Sequence, residues 1–295
     1  MSYPVIQLAS ESALYKEDMG SKNKRWCRHP SDDRLWLFKY PRETAGEHWS
    51  EKIAAELGSL LNIACAYVQL AELGGARGSL TRNILANETE VLVHGNELLA
   101  GHVIGYDKTQ MRGQNQHTWQ HICAAIQTRC GEDVCQEILT AFAGYLVFDA
   151  WIGNTDRHHQ NWGLLQISSG QNVRYEMCPS FDHASSLGRE LTDLRRRSLL
   201  QNMEGYRNHP KARGAIYWEG EELHPLPCIE LVRRITNLNP ALTESWLMQL
   251  SSISSTSCAT VIEAVSSDWM SDLAKEFALK LIDTNRAELI TCLRN

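Results

Sequence analysis

Asp156 and Asn161 stand in the polar run Gly153-Asn154-Thr155-Asp156-Arg157-His158-His159-Gln160-Asn161. D-x-x-x-x-N is the spacing at which phosphoryl-transfer enzymes set a carboxylate beside the acceptor hydroxyl and an amide oxygen on magnesium. Spacing alone decides little, because Asn follows a given Asp at that interval about once in twenty-five by ordinary composition. Context adds weight. The run breaks directly out of an apolar segment, 144–152, whose Tyr145, Leu146, Val147, Phe148, Ala150, Trp151 and Ile152 read as a core helix, apolar almost all round. A buried helix ending in Asn, Asp, His and Asn delivers polar groups to the base of a cleft. The bland alternative is a polar cap and loop without chemistry.

Four further features fit phosphoryl transfer. Lys39 ends a strand pattern in which alternation places it on the face of Leu35 and Leu37. From there its ammonium can reach the α- and β-phosphates of a nucleotide, or it is an edge-strand gatekeeper. The next helix, 47–61, offers Glu51 and Glu56 as its partner. Glu56 falls within the apolar stripe of Trp49, Ile53, Leu57, Leu60 and Leu61, while Glu51 lies nearly opposite Trp49, and a buried carboxylate needs a partner; physics alone favours Glu56. Gly20 and Ser21 sit in a small-residue turn, 19–24, whose amides could cradle phosphates; a plain surface turn is the alternative. Asp182, in Phe181-Asp182-His183, would complete a magnesium site with Asn161, since Mg²⁺ takes oxygen ligands and bridging phosphates.

The elements that must position these groups form two regions. Strands are predicted at 25–27 and 35–40 around a turn at 29–33, and again at 66–70 and 80–85, with Asn62 as a left-handed cap after the helix. From about Val91 the pattern turns helical, with helices at 117–128, 133–152, 229–235, 242–250 and 269–293, and a hairpin of strands 162–167 and 173–177. The result is an α+β chain: a strand-rich lobe, 1–88, then a helical lobe, 89–295.

The bulk numbers exclude some classes. The 295 residues are 43% apolar and 22% charged, as in ordinary globular proteins. A net charge of −6 argues against binding driven by nucleic-acid phosphates, and no apolar run is long enough to span a membrane. The nine cysteines lack C-x-x-C pairing, so they read as packing residues in a reducing, cytoplasm-like compartment. The clusters Arg195-Arg196-Arg197 and Lys211 with Arg213 either receive a phosphorylated or acidic group or form a solvated face.

The order of Lys39, a helix glutamate, G-N-T-D-R-H-H-Q-N, a hairpin and S-F-D-H resembles the HipA-like serine/threonine kinases, bacterial relatives of the protein-kinase and phosphatidylinositol-kinase folds. The family's N-x-D-x-H-x-x-N signature stands here as Asn154, Asp156, His158 and Asn161, and the resemblance runs from about 20 to 186. It implies a two-lobed protein-kinase-like fold binding ATP and Mg²⁺ between lobes and transferring the γ-phosphoryl to a hydroxyl, foremost a protein serine or threonine. Asp156 would orient the acceptor, Asn161 and Asp182 would hold magnesium, Lys39 would contact phosphates, and His158 would brace the loop. Counting back from Asn62, the resemblance points to Glu51 rather than Glu56. It implies that 80–85 lies near the adenine and that Ser21 is a candidate autophosphorylation site. The short stretch before Gly20 suggests a compact member without the extra N-terminal subdomain of the toxin-type relatives. Two rivals share the residues: an inositol-lipid or small-metabolite kinase, and a pseudokinase that binds nucleotide or a partner protein without chemistry. Delivery of the protein into another cell is compatible with either.

Overall fold

The computed structural model describes residues 2–17, 23–43, 45–202, 213–221 and 223–294. Gly20, Ser21 and Lys211 lie outside the described residues.

The first lobe is a six-stranded sheet made of β1 (Val5–Leu8), β2 (Ala13–Lys16), β3 (Lys24–His29), β4 (Asp32–Lys39), β5 (Val68–Leu73) and β6 (Ala76–Arg82), in the order β1-β5-β6-β4-β3-β2. Only β1 against β5 is parallel; the other pairs are antiparallel. Strand alternation sets the two faces of β4. Trp36 and Phe38 enter a small core with Leu8, Cys27, Ala71, Leu73 and Leu80, which turns Leu37 and Lys39 to the opposite face. There Lys39 stands opposite Ser79 and Leu37 opposite Thr81. Helix α1 (Glu47–Leu60) packs against β5 and β6, and its Trp49, Ile53 and Leu57 are buried in the main core. It ends at Leu61 and Asn62, whose φ of 53° is the left-handed cap anticipated from its type.

A second sheet, β7 (Glu90–His94), β8 (Gly163–Ser169) and β9 (Asn172–Met177), joins this lobe to the helical one. The β8–β9 hairpin agrees with the sequence reading. Strand β7 does not: 90–94 reads locally as the start of helical structure, but it pairs in register with β8, about seventy residues away. The β-branched Val91 and Val93 fit that pairing.

Among the described residues the remaining helices are α2 (Gly95–His102), α3 (Trp119–Cys130), α4 (Glu132–Ile152), α5 (Asp193–Leu200), α6 (Cys228–Leu238), α7 (Glu244–Ser252), α8 (Ser255–Glu263) and α9 (Asp272–Ile290). Helix α4 is the axis of the lobe. It is flanked by α3, α6 and α9, and Phe142, Val147, Phe148, Trp151 and Ile152 are fully enclosed. A helix surrounded this way must be apolar on all sides. The predicted helix at 269–293 is shorter at both ends, because Ser271 caps α9 by accepting from Ala274 N and a 3₁₀ turn follows Ile290. Helices α2, α5 and α8 lie outside the helices expected from the sequence. Among the described residues no helix is long and apolar enough to cross a membrane.

Candidate active site

Gly153 ends α4 in the left-handed conformation (φ 69°), and its N–H bonds back to Asp149 O. Asn285 of α9 donates to Trp151 O at 3.1 Å, satisfying a carbonyl of that last turn. The chain therefore leaves the core helix at a fixed angle, and the polar loop emerges at the base of a cleft of about 1380 Å³. Both lobes line the cleft: Lys39, Thr81 and Leu85 from the first, Asp156, Asn161 and Asp182 from the second.

Three of the expected residues form one ion cluster. Lys39 Nζ donates to Glu51 Oε1 and Oε2 at 3.1 and 3.2 Å, and to Asp182 Oδ1 at 3.1 Å. Burial opposes the Lys39 charge, but the Asp182 and Glu51 carboxylates outweigh it and raise its pKa, so it stays cationic. The helical-wheel preference for Glu56 is overturned here. Glu56 pairs instead with Lys52 and its side chain is 34% exposed, whereas Glu51 is 1% exposed. The wheel misled because α1 is buried on more than its apolar stripe: Glu47, Ser50, Glu51 and Lys52 are buried too.

The other expected residues gather nearby. Asn161 Nδ2 donates to Asp156 O at 2.7 Å, closing the loop on itself and leaving Oδ1 as the amide's acceptor. Asp156 Oδ2 accepts from Ser185 Oγ at 3.3 Å. Asp182 takes a φ of 57°, a backbone conformation that Asp tolerates better than most residues. His158 lines the cleft, but its Nδ1 accepts only from Gln160 N, two residues on. Burial lowers its pKa despite the pull of Asp156 and Asp182, so the imidazole is neutral at pH 7. Residues 82–85, at and beyond the end of β6, line the cleft where the resemblance set the adenine.

The loop is braced by a pair that sequence reasoning passed over. Arg157 Nε and Nη2 donate to Asp149 Oδ2 and Oδ1 at 2.7 and 2.8 Å, with both side chains 3% exposed. Arg157 also donates to Asn161 O and to Ser180 Oγ, which lies 2.7 Å from His183 Nε2. Asn154 Nδ2 adds a third bond to Asp149 Oδ1 at 2.8 Å. One guanidinium thus ties the end of α4, the loop and the segment leading to Asp182. The signal was present: Asp149 is the lone carboxylate inside the apolar 144–152, and a buried charge demands a partner. Behind the loop lie two neutral histidines. His117 accepts from Trp162 Nε1 and donates to Ala215 O, and His159 Nδ1 lies 2.6 Å from Tyr106 OH. Burial pushes their pKa values down to about 3 and about 4.

No protein-family model matches the chain, and neither does any curated protein. Solved structures do. A proinflammatory kinase of Helicobacter pylori, CtkA, superposes with a TM-score of 0.79 at 18% identity, covering 99% of each chain. The chain has the fold of the HipA-like kinases. HipA of Shewanella oneidensis MR-1, solved with HipB and operator DNA, superposes with a TM-score of 0.57 at 12% identity. That match covers 96% of this chain and 65% of HipA, so the chain spans a little under two-thirds of that relative. Within the HipA-like fold the cleft described above lies between a strand-rich lobe and a helical one.

Proposed function

We propose that the protein is a kinase that moves the γ-phosphoryl of ATP to a hydroxyl, foremost that of a protein serine or threonine. The observation that carries this reading is the Lys39–Glu51–Asp182 cluster. It joins a strand, a helix and a loop, with Lys39 and Asp182 separated by 143 positions, and it shares one cleft with Asp156 and Asn161. A structural ion pair would have no need of a cleft of that size. In this reading Lys39 holds the nucleotide phosphates and Glu51 keeps its ammonium aimed at them. Asp156 orients the acceptor hydroxyl with Oδ1, because Oδ2 accepts from Ser185. His158 braces the loop through the bond its Nδ1 accepts from Gln160 N. The donor set fits magnesium, which prefers oxygen: Asp182 brings a carboxylate and Asn161 its amide Oδ1. When bound, the ion neutralises charge that develops on the phosphoryl oxygens. Residues 83–89 then serve as the connection between nucleotide-binding and helical lobes.

Purified protein incubated with Mg²⁺ and γ-labelled ATP, followed by mass spectrometry, tests the reading against Asp156→Ala and Asp182→Ala. Phosphoserine or phosphothreonine on wild type alone is the expected result, and near-normal transfer in either variant would sink the assigned roles. Screening lipid and inositol acceptors in parallel separates the protein kinase from the wider class. Nucleotide-dependent thermal stabilisation without any transfer would mark a binding-only protein.

A further inference from the structure

The chain carries a net charge of −6, yet among the described residues its cleft is lined by eight lysines and arginines against four carboxylates. Lys39 is neutralised by Glu51 and Asp182, so the excess lies elsewhere. Part of it adjoins Asp156. Arg189 Nη2 donates to Ser185 Oγ at 3.1 Å, and that hydroxyl donates to Asp156 Oδ2, so a guanidinium stands two hydrogen bonds from the carboxylate assigned to the acceptor. Arg189 Nη1 pairs with Glu47 Oε1 at 3.0 Å, and Arg42 approaches the same oxygen at 4.0 Å. Two cations thus share one carboxylate, and Arg189 Nε is buried without a partner.

A second station lies further along the chain. Arg195, in the first turn of α5, and Arg213, whose Nη1 donates to Pro225 O, are exposed and line the same cleft. Arg195 has no carboxylate partner among the described residues. The middle arginine of the triplet shows the contrast. Arg196 is buried, bonded to Asp193 and Gly188 O, and structural. Only Arg195 of the three faces the cleft.

We propose that the acceptor is an acidic protein segment, its serine or threonine flanked by Asp or Glu side chains that pair with Arg42 and Arg189 at one station and Arg195 and Arg213 at the other. The inference rests on the kinase reading above. Guanidinium forks match carboxylates in bidentate geometry, which makes arginine the suited cation for such a wall. Two stations on separate segments, one of them exposed, suit an extended chain with several charges. A single small anion would be held by groups converging on one point.

The full chain, assayed with Mg²⁺ and ATP on three serine peptides of one core sequence, tests this. The flanks are acidic, neutral or basic. The acidic peptide is expected to exceed the neutral one by about tenfold in kcat/KM, an advantage that shrinks as salt rises. Charge reversal by Arg195→Glu with Arg213→Glu should invert the ranking, so that the basic peptide is preferred. Equal rates on all three peptides overturn the acidic acceptor and leave the kinase intact. Phosphorylation of an inositol phosphate with none of any peptide also overturns it, in favour of a small anionic acceptor. If nothing accepts phosphate, the kinase reading has failed, and fluorescence anisotropy with the same three peptides decides. Acidic-peptide binding that is lost on charge reversal upholds the arginine wall, and indifferent binding refutes it.

Discussion

Replacing Asp149 by alanine should destabilise the fold by about 3–5 kcal/mol, the cost of removing one partner from a buried ion pair. The geometry sets this upper range. Asp149 accepts two charge-assisted bonds from Arg157, at 2.7 and 2.8 Å, and one from Asn154. Both charged side chains are 3% exposed, so water cannot replace the lost carboxylate. At about 2–4 °C per kcal/mol for a chain of this size, the melting temperature should fall by roughly 6–20 °C. Urea unfolding with a thermal melt measures it. The informative companion is Asp149→Leu with Arg157→Met, which removes both charges and should recover most of the stability. It should not recover phosphoryl transfer, because the bonds from Arg157 to Asn161 O and Ser180 Oγ are also gone. A loss below about 1 kcal/mol in the single variant, or wild-type turnover in the double one, would refute the bracing role.

His117, His159 and His183 are buried with pKa values pushed below that of a free imidazole, so the unfolded chain binds protons that the native one does not. Their contribution is complete above about pH 6.5 and is lost as pH falls towards 4, at about 1.4 kcal/mol per pH unit for each; a melting temperature that stays flat from pH 7 to 5 would contradict this. Glu51→Ala should abolish the ATP-dependent thermal shift while Glu56→Ala keeps it, and the reverse pattern would restore the helical-wheel argument. Ser185→Ala should lower kcat several-fold with KM unchanged, because the hydroxyl bonds Asp156 Oδ2; a change confined to KM would argue against that role. Gly153→Ala should cost about 1–2 kcal/mol for a Cβ at φ 69°, and a neutral effect in urea unfolding would mean that the turn relaxes.

Much of the architecture is legible from short-range patterns. Alternation in 35–39 puts Lys39 on the face away from Trp36 and Phe38, because successive strand side chains point to opposite sides whatever the sheet order. The apolar run before Gly153 specifies a core helix, and the hairpin at 163–177 follows from two alternating segments and a Gly170 turn. Each signal lies within about ten residues of what it determines. The order of Lys39, a helix glutamate, Asp156, Asn161 and Asp182 is likewise in the chain itself.

What periodicity could not decide are the pairings between distant segments. Strand β7 is extended only because β8 supplies its hydrogen bonds, and β1 joins the sheet by parallel pairing with β5. The choice between Glu51 and Glu56 turned on how α1 docks against β5 and β6, which buries its polar side beneath Asp182 and the segment after it. Asp149 could be recognised as a charge in need of a partner, but only the folded loop makes that partner Arg157. Local periodicity records which face of an element is buried. Which buried charges meet depends on the packing of elements brought together from across the chain, and Lys39 reaches Asp182 only once that packing is complete.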